Sequence, residues 1–188
     1  LGLLVAIGAT SAVNHAATSS CGSATRTIRA DVVAFDQVIT YNRYGSINPV
    51  GMMYALKEDV VASTGSVPGP GNAKLNPNKR PRPLVLRANV GDCLTVTFYN
   101  WLKNPTPSTD SPADRWASMH VNGMVYDTNS DGGWAGNNIN TTIQPSATPI
   151  TYSWYADKEG SYLVTSEGAL AGGEGDGGST VHGLFGTV

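Results

Sequence analysis

Gly91-Asp92-Cys93-Leu94-Thr95-Val96-Thr97-Phe98-Tyr99-Asn100 is the stretch on which the fold turns. From Cys93 onward its residues alternate. Cys93, Thr95, Thr97 and Tyr99 fall on one side of an extended chain, and Leu94, Val96 and Phe98 on the other. Such alternation after a Gly-Asp turn predicts a strand whose Leu-Val-Phe face enters a core. The same signal recurs on both sides. Residues 27–41 read as one or two strands, 52–56 as another, and 84–89 as the strand before the Gly91 turn. Residues 117–126, 148–156, 161–165 and 184–188 complete the set, with Ile150, Tyr152 and Trp154 sharing a face. The intervening 63–83, 103–115 and 127–140 are rich in Gly, Pro, Asn and Ser, and predict loops. Nothing reads as a helix longer than two turns, and there is no internal repeat. Seven or eight short strands divided by turn-rich loops predict an all-β sandwich.

Composition agrees. Of 188 residues, 40% are hydrophobic and only 14% charged, with 22 Gly and 11 Pro, which suits a loop-rich β protein and not a helix bundle. The net charge is −2 and no Lys/Arg stripe stands out, so phosphate-driven binding of nucleic acid has no support. The two cysteines, Cys21 and Cys93, leave two readings open: one disulfide in an exported chain, or two buried thiols. Export is favoured by the start of the chain. Leu1 to Val13 is apolar and uncharged, and small residues follow up to Ala17, like the core and cleavage zone of a secretory signal without its basic beginning. The run is too short to span a bilayer, which needs about 20 apolar residues. It reads either as an extra strand on this domain or as an assembly segment for a partner chain. Residues 1–26 are therefore expected to form this segment and a linker, and 27–188 the folded domain, with the last strand running on beyond 188.

Family resemblance enters over residues 82–188. Arg82-Pro83-Leu84-Val85-Leu86-Arg87 and the Gly91–Asn100 stretch resemble the opening of the first cupredoxin domain of multicopper oxidases. His120-Val121-Asn122-Gly123 stands where that family has a His-x-His-Gly strand. Gln144-Pro145 and Tyr152-Ser153-Trp154 follow in order. Gly160-Ser161-Tyr162-Leu163-Val164-Thr165-Ser166-Glu167 stands where the family has Gly-Thr-x-x-x-His-Ser-His, and Gly183-Leu184-Phe185-Gly186 closes the match. Asn42-Arg43-Tyr44-Gly45, Gly51–Leu56 and the Gly172–Gly178 run add a likeness to a group of large bacterial multicopper-oxidase-like proteins. The resemblance implies a cupredoxin-like Greek-key sandwich. It also implies two His-x-His pairs lent to a trinuclear copper cluster that a later domain completes.

The residues depart from that pattern where the chemistry lies. The first pair keeps His120 and has Asn122; the second is Thr165 and Glu167. Copper in oxidases is held by imidazoles, and asparagine is a poor substitute. His182 is the other imidazole near the motif. His120, His182 and Glu167 would make a two-His-one-carboxylate set for copper, iron or zinc if they converge. The alternative is a His120 bonded to backbone at the core edge and a His182 on a turn. Asp127-Thr128-Asn129-Ser130-Asp131-Gly132 fits the first half of a calcium-loop pattern, with Asp127, Asn129 and Asp131 as ligands; it equally fits an Asx-turn loop. Glu174-Gly175-Asp176 has the same two readings. Asn140-Thr141-Thr142 is an N-glycosylation sequon, relevant only if the host glycosylates exported proteins. No blue-copper site and no nucleophile elbow is present.

The expectation is a periplasmic, cell-surface or extracellular domain, poor in copper ligands and not catalytic alone. Its partners would be further cupredoxin domains or identical subunits. Two other classes remain open: a structural or filament subunit joined through its N-terminal segment or sheet edges, and a metal carrier using His120 and His182.

Overall fold

The strand read from the alternation is the centre of the first of two sheets. The computed structural model describes residues 21–104, 115–168 and 178–188, so the apolar N-terminal run and the Glu174-Gly175-Asp176 stretch lie outside the described residues. In chain order the strands are β1 (Arg26–Asp36), β2 (Ile39–Thr40), β3 (Ile47–Asn48), β4 (Met52–Leu56), β5 (Val60–Val61), β6 (Lys74–Leu75), β7 (Leu84–Val85) and β8 (Asp92–Asn100). They continue with β9 (His120–Val121), β10 (Ile150–Tyr155), β11 (Leu163–Thr165) and β12 (Phe185–Thr187). One four-stranded sheet has the order β10-β8-β1-β4 and the other β7-β12-β11-β9; β2-β3 and β5-β6 are small two-stranded pairs. From β7 onward the chain crosses repeatedly between the sheets. The two parallel pairs, β1 with β8 and β7 with β12, come from these crossings. This is an all-β Greek-key sandwich with eight strands in its two sheets, as the sequence predicts.

Alternation along β8 places Leu94, Val96 and Phe98 in the core, each 1% exposed or less. They meet Val121 and Val164 of the second sheet and Leu184 just before β12, together with Tyr54, Met119, Tyr152 and Trp154. The phenols and the indole keep their polar atoms paired in this setting. Tyr54 Oη donates to Ser118 O at 2.5 Å, Tyr152 Oη to Thr141 O at 2.6 Å, and Trp154 Nε1 to Ser130 O at 3.2 Å.

β1 is buried without interruption from Val32 to Phe35, because both of its faces are covered there. Val32 and Ala34 belong to the main core. Val33 and Phe35 point the other way and form a second cluster with Met53, Ala55 and Val60. Leu75, Tyr99 and Trp101 cover it, so the excursion between β4 and β7 roofs the outer face of the first sheet. Lys57 Nζ lies 4.0 Å from the centroid of the Tyr99 ring, a cation–π contact at the edge of that roof.

Cys21 and Cys93 form a disulfide with Cα atoms 5.4 Å apart. Beside it, Arg26 clasps Asp92 with two hydrogen bonds of 3.0 and 2.6 Å. Both links tie the start of β1 to the start of β8, where Arg26 faces Asp92 and Thr27 faces Cys93 in the ladder.

Residues 117–126, predicted as one strand, are not one. Only His120 and Val121 join a ladder; Ala117 bridges to Ile143 and Val125 to Tyr155. The backbone between them serves side chains: Ser118 O accepts from Tyr54 and Ser118 N donates to Ser166 Oγ. The 63–83 segment, read as a loop, contributes β6 to the hairpin with β5.

Candidate functional site

β9 and β11 run antiparallel, and their register sets His120 opposite Thr165. Of the two degenerate pairs, the register thus brings His120 and Thr165 together, while Asn122 lies opposite Leu163 and Glu167 beside Ser118. A serine clasp fixes them. Ser118 N donates to Ser166 Oγ at 3.2 Å, and Glu167 N donates to Ser118 Oγ at 2.9 Å. Gly168 completes the closure, since a Cβ there would stand 2.6 Å from the backbone of Trp116 and Ala117.

His120 is oriented by the loop after Tyr126. Its Nδ1 lies 2.6 Å from the backbone oxygen of Asp131 and 3.5 Å from a carboxylate oxygen of the same residue. A ring nitrogen this close to a carbonyl carries a proton, so in the neutral ring the lone pair lies on Nε2. The Tyr126 ring meets the imidazole edge-on at 5.7 Å. Burial, then the Asp131 carboxylate and the Glu167 charge, push the Tyr126 phenol above its ordinary pKa. Glu167 accepts a 3.1 Å hydrogen bond from Thr165 Oγ1. The result is one imidazole held by the Asp131 loop and the Tyr126 ring, with Glu167 bonded to the facing Thr165.

The Asp127–Gly132 segment is built as an Asx-capped turn. The Asp127 carboxylate accepts from Asn129 N at 3.0 Å and caps the 3-10 turn Thr128–Ser130. Asp131 turns to His120 instead. Ser130 anchors the turn in the core, its Oγ accepting from Ser153 N at 3.0 Å. Nothing in this arrangement supports the calcium reading of Asp127, Asn129 and Asp131.

His182 stands on the turn before β12, where its carbonyl oxygen accepts from Met52 N at 2.8 Å. Among the described residues, no three His, Cys, Asp or Glu side chains form a group that could hold a metal ion. His120, His182 and Glu167 accordingly do not make the two-His-one-carboxylate set. A copper cluster does not fit the residues described at this end of the sheet: one oriented imidazole is suited to it, and Thr165 and Glu167 are not. The sequon residue Asn140 is half-buried, and its side-chain oxygen accepts from Thr142 N and Thr142 Oγ1 at 2.9 and 2.7 Å.

Asp131 and Tyr126 reach His120 only through the folded loop. No spacing in the sequence assigns them to it; the one hint is Gly132 immediately after Asp131. Among the described residues, no helix is long and apolar enough to cross a membrane.

No protein-family model matches the chain, and no curated protein matches it in sequence. Among solved structures, a multi-copper oxidase from Pseudomonas Thermotolerans aligns over 86% of this chain and 28% of its own, with 16% identity and a TM-score of 0.49. Another multicopper oxidase aligns over 86% of this chain and 41% of its own, with 20% identity and a TM-score of 0.49. A copper nitrite reductase from Nitrosomonas europaea aligns over 86% and 40%, with 16% identity and a TM-score of 0.48. The chain thus spans less than half the length of each of these structures.

Proposed function

We propose that this chain is a cupredoxin-like domain of an exported multicopper-oxidase-like protein, serving as scaffold and docking partner and not as a self-sufficient oxidase. The observation that carries this reading is the His120–Thr165 register. It sets one position of each ligand pair of the family pattern side by side, and of the four positions only His120 retains an imidazole. The Cys21–Cys93 bridge supports export, since such bridges persist in oxidising compartments. Any copper chemistry would then depend on ligands from further domains or identical subunits, to which His120 Nε2 could add one nitrogen.

The test is to incubate the purified chain with Cu(II), remove unbound metal, and follow oxidation of a phenol and of Mn(II) with the oligomeric state measured in parallel. The expected result is no turnover by monomer, with any retained Cu(II) signal weakened by His120→Ala. Turnover by a copper-loaded monomer overturns the reading.

A further inference from the structure

β4 ends the first sheet and β7 ends the second, and a groove of about 620 Å³ opens where these two edges meet. Four of its lining residues are cations: Lys79, Arg80, Arg82 and Arg87. Asp59 is the one acidic lining residue, and Lys79 Nζ already engages it at 2.7 Å. The three exposed arginines have no acidic partner among the described residues. Composition alone hides this cluster, because the chain as a whole carries −2.

We propose that this groove docks an extended acidic peptide in which carboxylates alternate with apolar residues. Arg80 and Arg82 are interleaved with Pro81 and Pro83. Proline fixes φ near −65° and lacks an N–H, so this rim is stiff and extended. Residues two apart along such a chain are spaced by about 6–7 Å, the repeat at which same-side residues of an extended peptide recur. Arginine presents a planar fork suited to carboxylates. The floor is apolar, with Met53, Leu75 and Leu84, and would take the alternate side chains. A short acidic segment matches a few arginines over an apolar floor. A long polyanion gains little there, because the net negative charge of the chain repels its remainder. Prolines and charges on a sheet edge also deter edge-to-edge pairing, but that role alone predicts no saturable binding.

The whole chain is titrated into a fluorescein-labelled Glu-Val-Glu-Val-Glu peptide at low salt, and anisotropy is read. Saturable binding is expected, weakened about tenfold or more by Arg80→Ala combined with Arg82→Ala. Lys158→Ala, at an exposed lysine outside the groove, should leave it unchanged. Glu-Ser-Glu-Ser-Glu should bind several-fold more weakly, reporting on the floor. The proposal is overturned by no saturable binding, by equal binding of the double variant, or by no preference for Val over Ser. Tighter binding of a short RNA or a heparin fragment, lost in the same double variant, reassigns the groove to polyanions and also overturns it.

Discussion

At Gly132, φ is +74° and an added Cβ would stand 2.2 Å from Met119 O, so the loop can dock on β9 only through a residue without a side chain. Gly132→Ala is expected to cost more than about 2 kcal/mol, from left-handed strain and the backbone clash together. Chemical denaturation measures the loss. The same substitution should draw Asp131 away from His120. In the parent chain, ¹⁵N spectra should show neutral His120 as the Nδ1–H tautomer, and in the variant that preference should weaken. The buried phenols give a second prediction. Burial raises the Tyr54 pKa well above its ordinary value, and Tyr152 is raised for the same reason. Both are protonated in the fold, whereas unfolded tyrosines ionise near pH 10. Their contribution is complete below about pH 10 and declines as pH rises beyond it. Tyr54→Phe should flatten that alkaline decline, while costing about 1–3 kcal/mol at neutral pH by stranding Ser118 O. At this scale the sequence is partly legible. His120 and Glu167 stand at motif positions and can be singled out. Asp131 reads as a calcium ligand because Asp-x-Asn-x-Asp-Gly looks the same whether its acceptors face an ion, a helical turn or a neighbouring imidazole.

Among the elements, β1 and β8 are joined at one end by the Cys21–Cys93 bridge and by Arg26–Asp92. The guanidinium of Arg26, with help from Asn89 N–H, lowers the Asp92 pKa below the usual carboxylate value. The sign follows from linkage. A carboxyl with a depressed folded pKa stabilises above its unfolded value, near 4, and that stability fades as pH falls through the lowered folded value. Asp92→Asn should therefore reduce the acid-side slope of stability below about pH 4, read from urea midpoints as pH is lowered. β8 is legible because one of its faces is polar enough to show a period of two. β1 is less so: the roof over its outer face demands apolar residues on both sides and erases the alternation. The 117–126 segment passes for a continuous strand because its apolar content serves burial, while Tyr54, Ser166 and Ile143 take its backbone in three directions.

For the whole molecule, the sandwich is readable from strand count and turn chemistry, but the meeting of its two open edges is not. β4 and β7 are separated by a long excursion, and only the fold sets the arginines beside the floor formed by Met53 and Leu84. Removing the bridge with Cys21→Ser and Cys93→Ser should cost about 2–4 kcal/mol, measured by thermal or urea unfolding. The bridge has another consequence. Its sequence separation of 72 residues encloses the whole excursion, including the exposed turn at 63–67. A protease that cuts this turn leaves two pieces held by a covalent tether. On a gel the nicked chain should migrate as one species until a thiol reductant is added, and then divide in two.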